Sequence, residues 1–140
     1  MRKTTTTIAI AAGALMLAGV AAGTASRDSI LAELKSQAAQ EDSGFAGFSA
    51  ERGAAFFRAT HQGGKPDTPS CTTCHGTEPR ATGKTRAGKP IDPMAVSANP
   101  ARFTDPKEVA KWFTRNCKSV LGRECTAAEK GDFITFMASQ

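Results

Sequence analysis

Residues 71–75 read Cys-Thr-Thr-Cys-His, a set of thiols and an imidazole whose spacing suits one specific chemistry. Two thiols separated by two residues and followed directly by a histidine form the attachment sequence of a c-type haem. In such a site Cys71 and Cys74 add to the vinyl groups of the haem, and His75 binds the iron as proximal ligand. The motif therefore predicts one covalently bound haem c.

Two other kinds of site fit part of the same motif. A C-x-x-C pair alone also occurs in thioredoxin-like redox sites and in structural zinc sites. Cys117 and Cys125 are the two remaining cysteines. With Cys71 and Cys74 they would complete a four-thiolate zinc site in a haem-free structural module. The adjacent His75 and the N-terminal sequence favour haem over both alternatives.

The N-terminus has the pattern of a secretory signal peptide over residues 1–25. Arg2 and Lys3 precede a threonine run, an apolar stretch over residues 8–23 and small residues at 23–25. The apolar stretch is shorter than the ~20 residues that a membrane-spanning helix needs, so a retained N-terminal anchor is the weaker alternative. We therefore expect an exported, periplasmic protein whose remaining length suits a single core.

The chain is basic, with 18 basic and 13 acidic residues and a formal charge of +5. Arg2 and Lys3 leave with the signal peptide, which takes two positive charges away and lowers the net charge to +3. No segment resembles a nucleic-acid-binding fold, and an exported protein does not meet the genome, so we expect no nucleic-acid partner. The basic residues form either a solvated face or a docking surface for an acidic redox protein. Several lie in one loop, at Arg80, Lys84, Arg86 and Lys89.

Capping signals predict where the helices begin. A helix over 29–40 is expected to begin at Asp28 or Ser29, and a helix from residue 50 to about His61 is expected to begin at Ser49. These two helices lie before the haem motif. The first is expected to contribute mainly to packing.

Two further helices are expected after the haem motif. Residues 105–108 read Asp-Pro-Lys-Glu, which combines a capping acid with proline at the first helical position, and this helix is expected to run to about Asn116. Thr126 and Glu129 form a capping box at the start of the last helix. Residues 76–104 contain too many glycines and prolines for a helix and are expected to form a loop around the haem edge.

Gly53 lies in the middle of the second predicted helix, on the same face as Phe57. Glycine at such a position costs about 1 kcal/mol relative to alanine, and the simplest reason for it is another helix that crosses closely. The last helix offers apolar surface for the crossing, at Phe133, Ile134, Phe136 and Met137. This pair of helices resembles class I cytochromes c, which implies an all-α fold packed around one haem.

The ligand on the other face of the iron separates the function classes. Methionine or a second histidine makes an electron carrier, whereas a weak or absent ligand leaves the iron open to small molecules. Met94 follows two prolines in the loop after the motif, and the 19 residues from His75 are enough to reach around a haem. On local pattern, Met94 is therefore the first candidate for the distal iron ligand. His61 is expected to lie at the end of a helix, and Met137 is expected to fill the core.

Cys117 and Cys125 introduce a second candidate. In an exported protein two spare cysteines eight residues apart most simply form a disulfide. Asn116 directly precedes Cys117. Together with residues 71–75, this stretch resembles the sphaeroides haem protein family, a group of small class I cytochromes c whose distal ligand is asparagine. The resemblance is strongest over residues 89–132.

The resemblance implies that Asn116 binds ferric iron beside a Cys117–Cys125 disulfide and leaves on reduction, which opens the site to oxygen, nitric oxide or carbon monoxide. It also implies a dihaem cytochrome c and a membrane cytochrome b as electron donors. A reductase of oxygen or nitric oxide and a simple electron carrier are both compatible with such a site. A hard amide oxygen suits ferric iron better than ferrous iron, so the implied ligand is chemically reasonable.

Two alternatives stand beside this interpretation. Asn116 would only end its helix, as asparagine often does, and Met94 would make the protein an ordinary His–Met electron carrier. The predicted domain organisation is the same in both cases. A signal peptide over 1–25 precedes a helical extension over 26–48 and a cytochrome c domain over 49–140.

Overall fold

The computed structural model describes residues 22–140, and most of the predicted signal peptide lies outside the described residues. The elements are α1 (Ala22–Glu41), α2 (Ala50–Arg58), α3 (Thr72–His75), β1 (Gly83–Lys84), β2 (Pro90–Ile91), α4 (Pro106–Leu121) and α5 (Ala127–Ala138). Within residues 22–140, no helix combines the length and the apolar character that crossing a membrane requires.

Helices α2 and α5 cross at Gly53, as the sequence predicts. A Cβ atom on Gly53 would collide with the carbonyl oxygen of Asp132 and would lie 2.8 Å from the Cβ atom of Phe136, both in α5. The carboxylate of Asp132 fixes the crossing, because it accepts hydrogen bonds from the Ser49 backbone N–H (2.7 Å) and from Arg52 Nε (2.7 Å). The N-terminus of α2 is thereby held against α5.

Aromatic side chains join three of the helices in the core. Phe57 of α2 is completely buried, and its ring centroid lies 6.0 Å from that of Phe133 and 5.9 Å from that of Phe136. Phe133 also contacts Phe113 of α4, with 5.6 Å between the ring centroids. The face that α5 turns towards α2 therefore also supports α4.

Helix α1 packs on the same core as the other helices. Ile30, Leu34 and Ala38 are buried and recur every four residues, which places them on one side of the helix. The carboxylate of Glu41 accepts a hydrogen bond from the backbone N–H of Ala127 (2.9 Å), at the first residue of α5. The helical segment that precedes residue 49 is thus part of the folded core.

The predicted N-caps at Ser49, Asp105 and Thr126 are confirmed. Ser49 and Asp105 each accept hydrogen bonds from backbone N–H groups in the first turn of their helices, and Thr126 and Glu129 form the predicted capping box. These hydrogen bonds satisfy donors that the helix itself leaves without partners.

Two boundaries before the haem motif differ from the prediction. Helix α1 does not begin at Asp28 or Ser29, because it already includes Ala22, the first described residue, and no proline lies between Ala22 and the predicted cap. Helix α2 ends at Arg58 rather than near His61, because the backbone is extended at the next residue (ψ 149°). Both differences concern the ends of helices whose existence the sequence predicts.

The loop over residues 76–104 contains no helix, as predicted, but it includes a short antiparallel pairing of β1 and β2 that the sequence did not predict. In this pairing Gly83 lies opposite Ile91, and Lys84 lies opposite Pro90. Each strand has only two residues, which is too few for an alternation of side chains to predict the pairing from the sequence.

Two arginines hold the second half of this loop. Arg102 donates from Nε to the carbonyl oxygen of Pro93 (2.9 Å) and from Nη2 to that of Asp92 (2.6 Å). Arg27 of α1 is buried, and its Nη2 donates to the carbonyl oxygens of Pro100 (2.8 Å) and Arg102 (2.8 Å). Helix α1 is therefore fixed to the loop as well as to the core.

We predict that Gly53→Ala lowers the free energy of unfolding by about 2 kcal/mol, because the new methyl group has no space against α5. Helix propensity alone predicts the opposite sign, a gain of about 1 kcal/mol. Ala55→Gly, at an exposed position of the same helix, is the control and should lose about 1 kcal/mol. Chemical denaturation of the haem-loaded protein measures both values. A gain in stability for Gly53→Ala would contradict the crossing.

Candidate haem site

The haem motif folds into a single tight turn. Helix α3 contains only residues 72–75, and a hydrogen bond from the His75 backbone N–H to the Cys71 carbonyl oxygen (3.1 Å) closes it. Gly76 ends the turn with φ 68°, a left-handed conformation that glycine adopts readily. As a result, Cys71, Cys74 and His75 all line the same cavity.

The cavity has a volume of about 770 Å³ and lies between the motif, α4 and the loop over residues 76–104. This volume falls in the range of about 300–1,000 Å³ that is usual for cofactor and small-molecule sites. Much of the wall is apolar, and includes Phe56, Ile91, Phe103, Val109, Trp112, Phe113 and Phe133. A large apolar cavity beside two thiols and an imidazole suits a covalently attached haem.

The state of the cysteines separates haem attachment from the two alternatives. Cys71 and Cys74 are not joined to each other, and burial raises the pKa of the Cys71 thiol to about 11. Redox-active cysteines need surroundings that stabilise the thiolate, whereas burial of Cys71 favours the neutral thiol. Cys117 and Cys125 form the predicted disulfide. The four-thiolate zinc alternative is therefore wrong, because two of its ligands are consumed.

The ring of His75 makes no hydrogen bond with any residue of the described chain, and its Nδ1 atom is buried without a partner. Burial, together with the nearby positive charge of Arg102, lowers the pKa of the imidazole to about 4. The ring is therefore neutral near pH 7, which is the form that binds metals. Buried polar atoms almost always have partners, so this ring fits a residue whose partner is the cofactor.

Three arginines line the cavity, and their partners differ. Arg86 pairs with Asp67 (2.6 Å), and the guanidinium of Arg115 lies 5.1 Å from the centroid of the Trp112 ring. Arg102 donates only to carbonyl oxygens, and within residues 22–140 no ion pair neutralises its charge. A haem carries two propionate carboxylates, and Arg102 is available to pair with one of them. No local pattern marks Arg102 in the sequence, because its position depends on how the whole loop folds.

Asn116 lines the cavity from α4, one turn after Trp112. The helix continues past it to Leu121 and ends where Gly122 adopts a left-handed conformation (φ 71°). The predicted end near Asn116 and the alternative that Asn116 only ends its helix are therefore wrong. Its side chain is exposed and makes no hydrogen bond within the described residues. The amide is consequently free to bind a group in the cavity.

The disulfide between Cys117 and Cys125 adjoins this asparagine. The two Cα atoms lie 5.6 Å apart, and both side chains are buried. The bond connects the last turns of α4 to the segment that precedes α5. The helical backbone around Asn116 is therefore covalently tied to the core.

The other proposed iron ligands lie in different places. Met94 lines the cavity and is almost completely buried. His61 does not line it, because its Nε2 atom contacts the carbonyl oxygen of Phe56 (2.9 Å) and its ring packs on the ring of that residue. Met137 is completely buried in the core of α5. Met94 and Asn116 are thus the two earlier candidates that the structure brings to the cavity.

Known proteins are similar to this chain in sequence and in fold. Residues 43–137 match the family described as domain of unknown function DUF1924. The chain is 58% identical over 91 residues to the cytochrome c-type protein SHP of Cereibacter sphaeroides. The aligned region covers 65% of this chain and 70% of that protein. The chain belongs to the sphaeroides haem protein family. The solved structure of oxidised SHP, described as an oxygen-binding cytochrome c, matches with a TM-score of 0.75 and 49% identity, over 81% of this chain and 96% of that chain.

A second solved structure extends the comparison. The solution structure of cytochrome c'' from Methylophilus methylotrophus, whose description refers to haem-ligand detachment, matches with a TM-score of 0.70 and 27% identity. It covers 84% of this chain and 95% of that chain. The predicted family and the predicted helical cytochrome c fold are thereby confirmed. Proteins of this class carry covalently bound haem, with which Cys71 and Cys74 agree.

We predict that replacing Cys117 and Cys125 together by serine lowers the free energy of unfolding by about 2.6 kcal/mol, the chain-entropy value for so short a loop. Denaturation of the haem-loaded protein by guanidinium chloride measures the difference. The matched control is a thiol reductant, which should destabilise the wild type and leave the double variant unchanged. Equal stability of the two proteins in oxidising buffer would show that the disulfide does not support this part of the fold.

Proposed function

We propose that the protein is an exported c-type cytochrome that accepts electrons and binds small diatomic ligands, with His75 and Asn116 as the axial ligands. Asn116 would be the labile ligand and would leave when the iron is reduced. The observation that carries this proposal is the amide of Asn116, which has no hydrogen-bond partner among the described residues and lines the cavity from α4 next to the disulfide. The oxygen-binding description of SHP and the ligand detachment named for cytochrome c'' support it.

Each residue of the site has a separate role in this proposal. Cys71 and Cys74 hold the cofactor covalently, and His75 offers a neutral imidazole from a rigid turn. When bound, the haem would supply an iron that accepts one electron and binds protein side chains or a small molecule. Arg102 places a positive charge at the cavity wall, where it would pair with a propionate. Apolar side chains form much of the wall against which the porphyrin would pack.

The position of Met94 favours Asn116 as the distal ligand. The backbone N–H of Met94 donates to the carbonyl oxygen of Pro79 (2.9 Å), which follows His75 by four residues. The carbonyl oxygen of Pro93, the residue before Met94, accepts a hydrogen bond from Arg102. The positive charge of Arg102 in turn helps to lower the pKa of His75. Met94 thus lies among residues that surround the proximal ligand. Asn116 lines the cavity from α4 instead, so we propose Asn116, and not Met94, as the ligand opposite His75.

The chemistry of the amide explains why this ligand would be labile. The carbonyl oxygen of an asparagine is a hard, neutral donor, and ferric iron is a harder acceptor than ferrous iron. Gain of an electron by the iron would therefore weaken a bond to Asn116. Thioether sulfur has the opposite preference, so a ligand such as Met94 would stay bound after reduction.

The electron donors proposed for this protein are a dihaem cytochrome c and a membrane cytochrome b, which the family resemblance implies. Charge supports an acidic partner, because exposed lysines occur on the loop and on α4, at Lys84, Lys89, Lys107 and Lys118. Periplasmic location is part of the same proposal and rests on the signal pattern over residues 1–25.

Gas binding tests the proposed function directly. We expect that the anaerobically reduced protein changes its visible spectrum when carbon monoxide or nitric oxide is added, because the distal position becomes vacant. The oxidised protein exposed to carbon monoxide is the control and should not change, because carbon monoxide needs ferrous iron. An unchanged six-coordinate spectrum of the reduced protein would falsify the gas-binding proposal and favour the His–Met carrier.

Substitution distinguishes the two distal candidates. Asn116→Ala should change the axial ligation of the ferric protein, seen by electron paramagnetic resonance and visible spectroscopy, whereas Met94→Ala should leave it intact. Asn99→Ala removes another cavity-lining asparagine and is the matched control, for which we expect no change. If instead Met94→Ala converts the ferric protein to high spin, the distal ligand is the methionine.

A further inference from the structure

Two hydroxyl groups line the cavity close to the proposed distal ligand. Thr68 is 7% exposed and precedes the haem motif, and Ser119 lies near the end of α4. Their Oγ atoms are 2.9 Å apart, and Thr68 Oγ1 also lies 3.2 Å from the carbonyl oxygen of Ser119. Neither residue belongs to a recognisable sequence motif.

Helix geometry places Ser119 beside Asn116. Residues three apart in a helix are neighbours on its surface, with about 5–6 Å between their Cβ atoms. Side chains in a helix also lean towards its N-terminus, so the hydroxyl of Ser119 leans towards the asparagine. The hydroxyl therefore lies next to the space that Asn116 would leave on reduction.

The pair has a proton that can turn into the cavity. Thr68 has two acceptors within reach, namely the carbonyl and the hydroxyl oxygen of Ser119. When Thr68 donates to the hydroxyl oxygen, the proton of Ser119 no longer points at Thr68 and is available to a third group. Both hydroxyl oxygens stay partnered in that arrangement, and the O–H of Ser119 is the donor that remains for a group in the cavity.

Anchoring of the neighbouring loop does not require these hydroxyls. The backbone N–H of Lys65 donates to the carbonyl oxygen of Ser119 (2.7 Å), and a Cβ atom on Gly64 would collide with the carbonyl of Val120. The loop is thus already fixed to α4 through its backbone. The buried hydroxyl pair is additional to this contact.

We propose that Ser119, oriented by Thr68, donates a hydrogen bond to oxygen bound at the haem and so favours oxygen over carbon monoxide. This inference rests on the proposed function, since it needs the site that Asn116 vacates. Oxygen draws electron density from ferrous iron and becomes a good hydrogen-bond acceptor, whereas carbon monoxide stays nearly neutral. A hydrogen-bond donor in the distal pocket is one of the features that decide how a haem handles oxygen.

The test compares the dissociation rates of oxygen and carbon monoxide from the reduced, haem-loaded protein by flash photolysis and stopped flow. Ser119→Ala should speed oxygen dissociation about tenfold, the effect of one ordinary net hydrogen bond, and leave carbon monoxide dissociation unchanged. Thr68→Val should have a smaller effect in the same direction, because Ser119 can then turn to a carbonyl of its own helix. Thr68→Ser keeps the hydroxyl and should behave as the wild type.

The matched control is Thr135→Val, which removes a hydroxyl that donates to the Gly131 carbonyl oxygen (2.7 Å) in α5. It should change neither rate, and the melting temperature of every variant is measured in parallel. Equal changes of both rates, or no change in Ser119→Ala, would overturn the role of the hydroxyl pair while the wild type still binds gas. A wild type that binds neither gas would overturn the proposed function, and this inference with it.

Discussion

The rest of the structure depends on the close contact between helices α2 and α5 at Gly53. The contact leaves no room for a Cβ atom, and the buried carboxylate of Asp132 is satisfied there by Arg52 and by the cap of α2. Burial of a carboxylate is costly without such partners, so the crossing has one favoured arrangement. Helix α2 leads into the segment that enters the haem motif, and Phe133 of α5 reaches the cavity wall. One helix pair thus positions both the motif and the apolar wall.

The loop over residues 76–104 is held mainly by side-chain contacts to backbone. The guanidinium groups of Arg27 and Arg102 bind four carbonyl oxygens of this segment. Phe103 has φ 59°, a strained value for a non-glycine residue, and its ring packs against Phe133 in an edge contact of 6.0 Å. Such strain persists only where the surroundings compensate for it. Because Arg27 belongs to α1, a helix outside the matched family region 43–137 supports the wall of the haem cavity.

The sequence predicted the features whose causes are local. The haem motif, the caps at Ser49, Asp105 and Thr126, and the glycine at the helix crossing each depend on residues a few positions apart, and these are found where expected. The length of α4 was underestimated, because asparagine is a common helix end and only the later Gly122 stops the helix. Arg102 and the Thr68–Ser119 pair were missed for another reason. Their partners are distant in sequence or are backbone oxygens, so no pattern of residue types marks them.

A distal ligand within a helix has a consequence for how it would leave. Helix α4 is fixed at its start by the Asp105 cap and near its end by the Cys117–Cys125 disulfide. The backbone of Asn116 is therefore held in place, and release would occur by rotation of its side chain. Only a few torsions change, so the amide stays nearby and can rebind after oxidation. Ligand binding and oxidation are thermodynamically linked. A ligand that binds ferric iron more tightly than ferrous iron stabilises the oxidised protein by the difference between its two binding free energies. With Asn116 as the proposed ligand, this preference for ferric iron would lower the reduction potential of the haem.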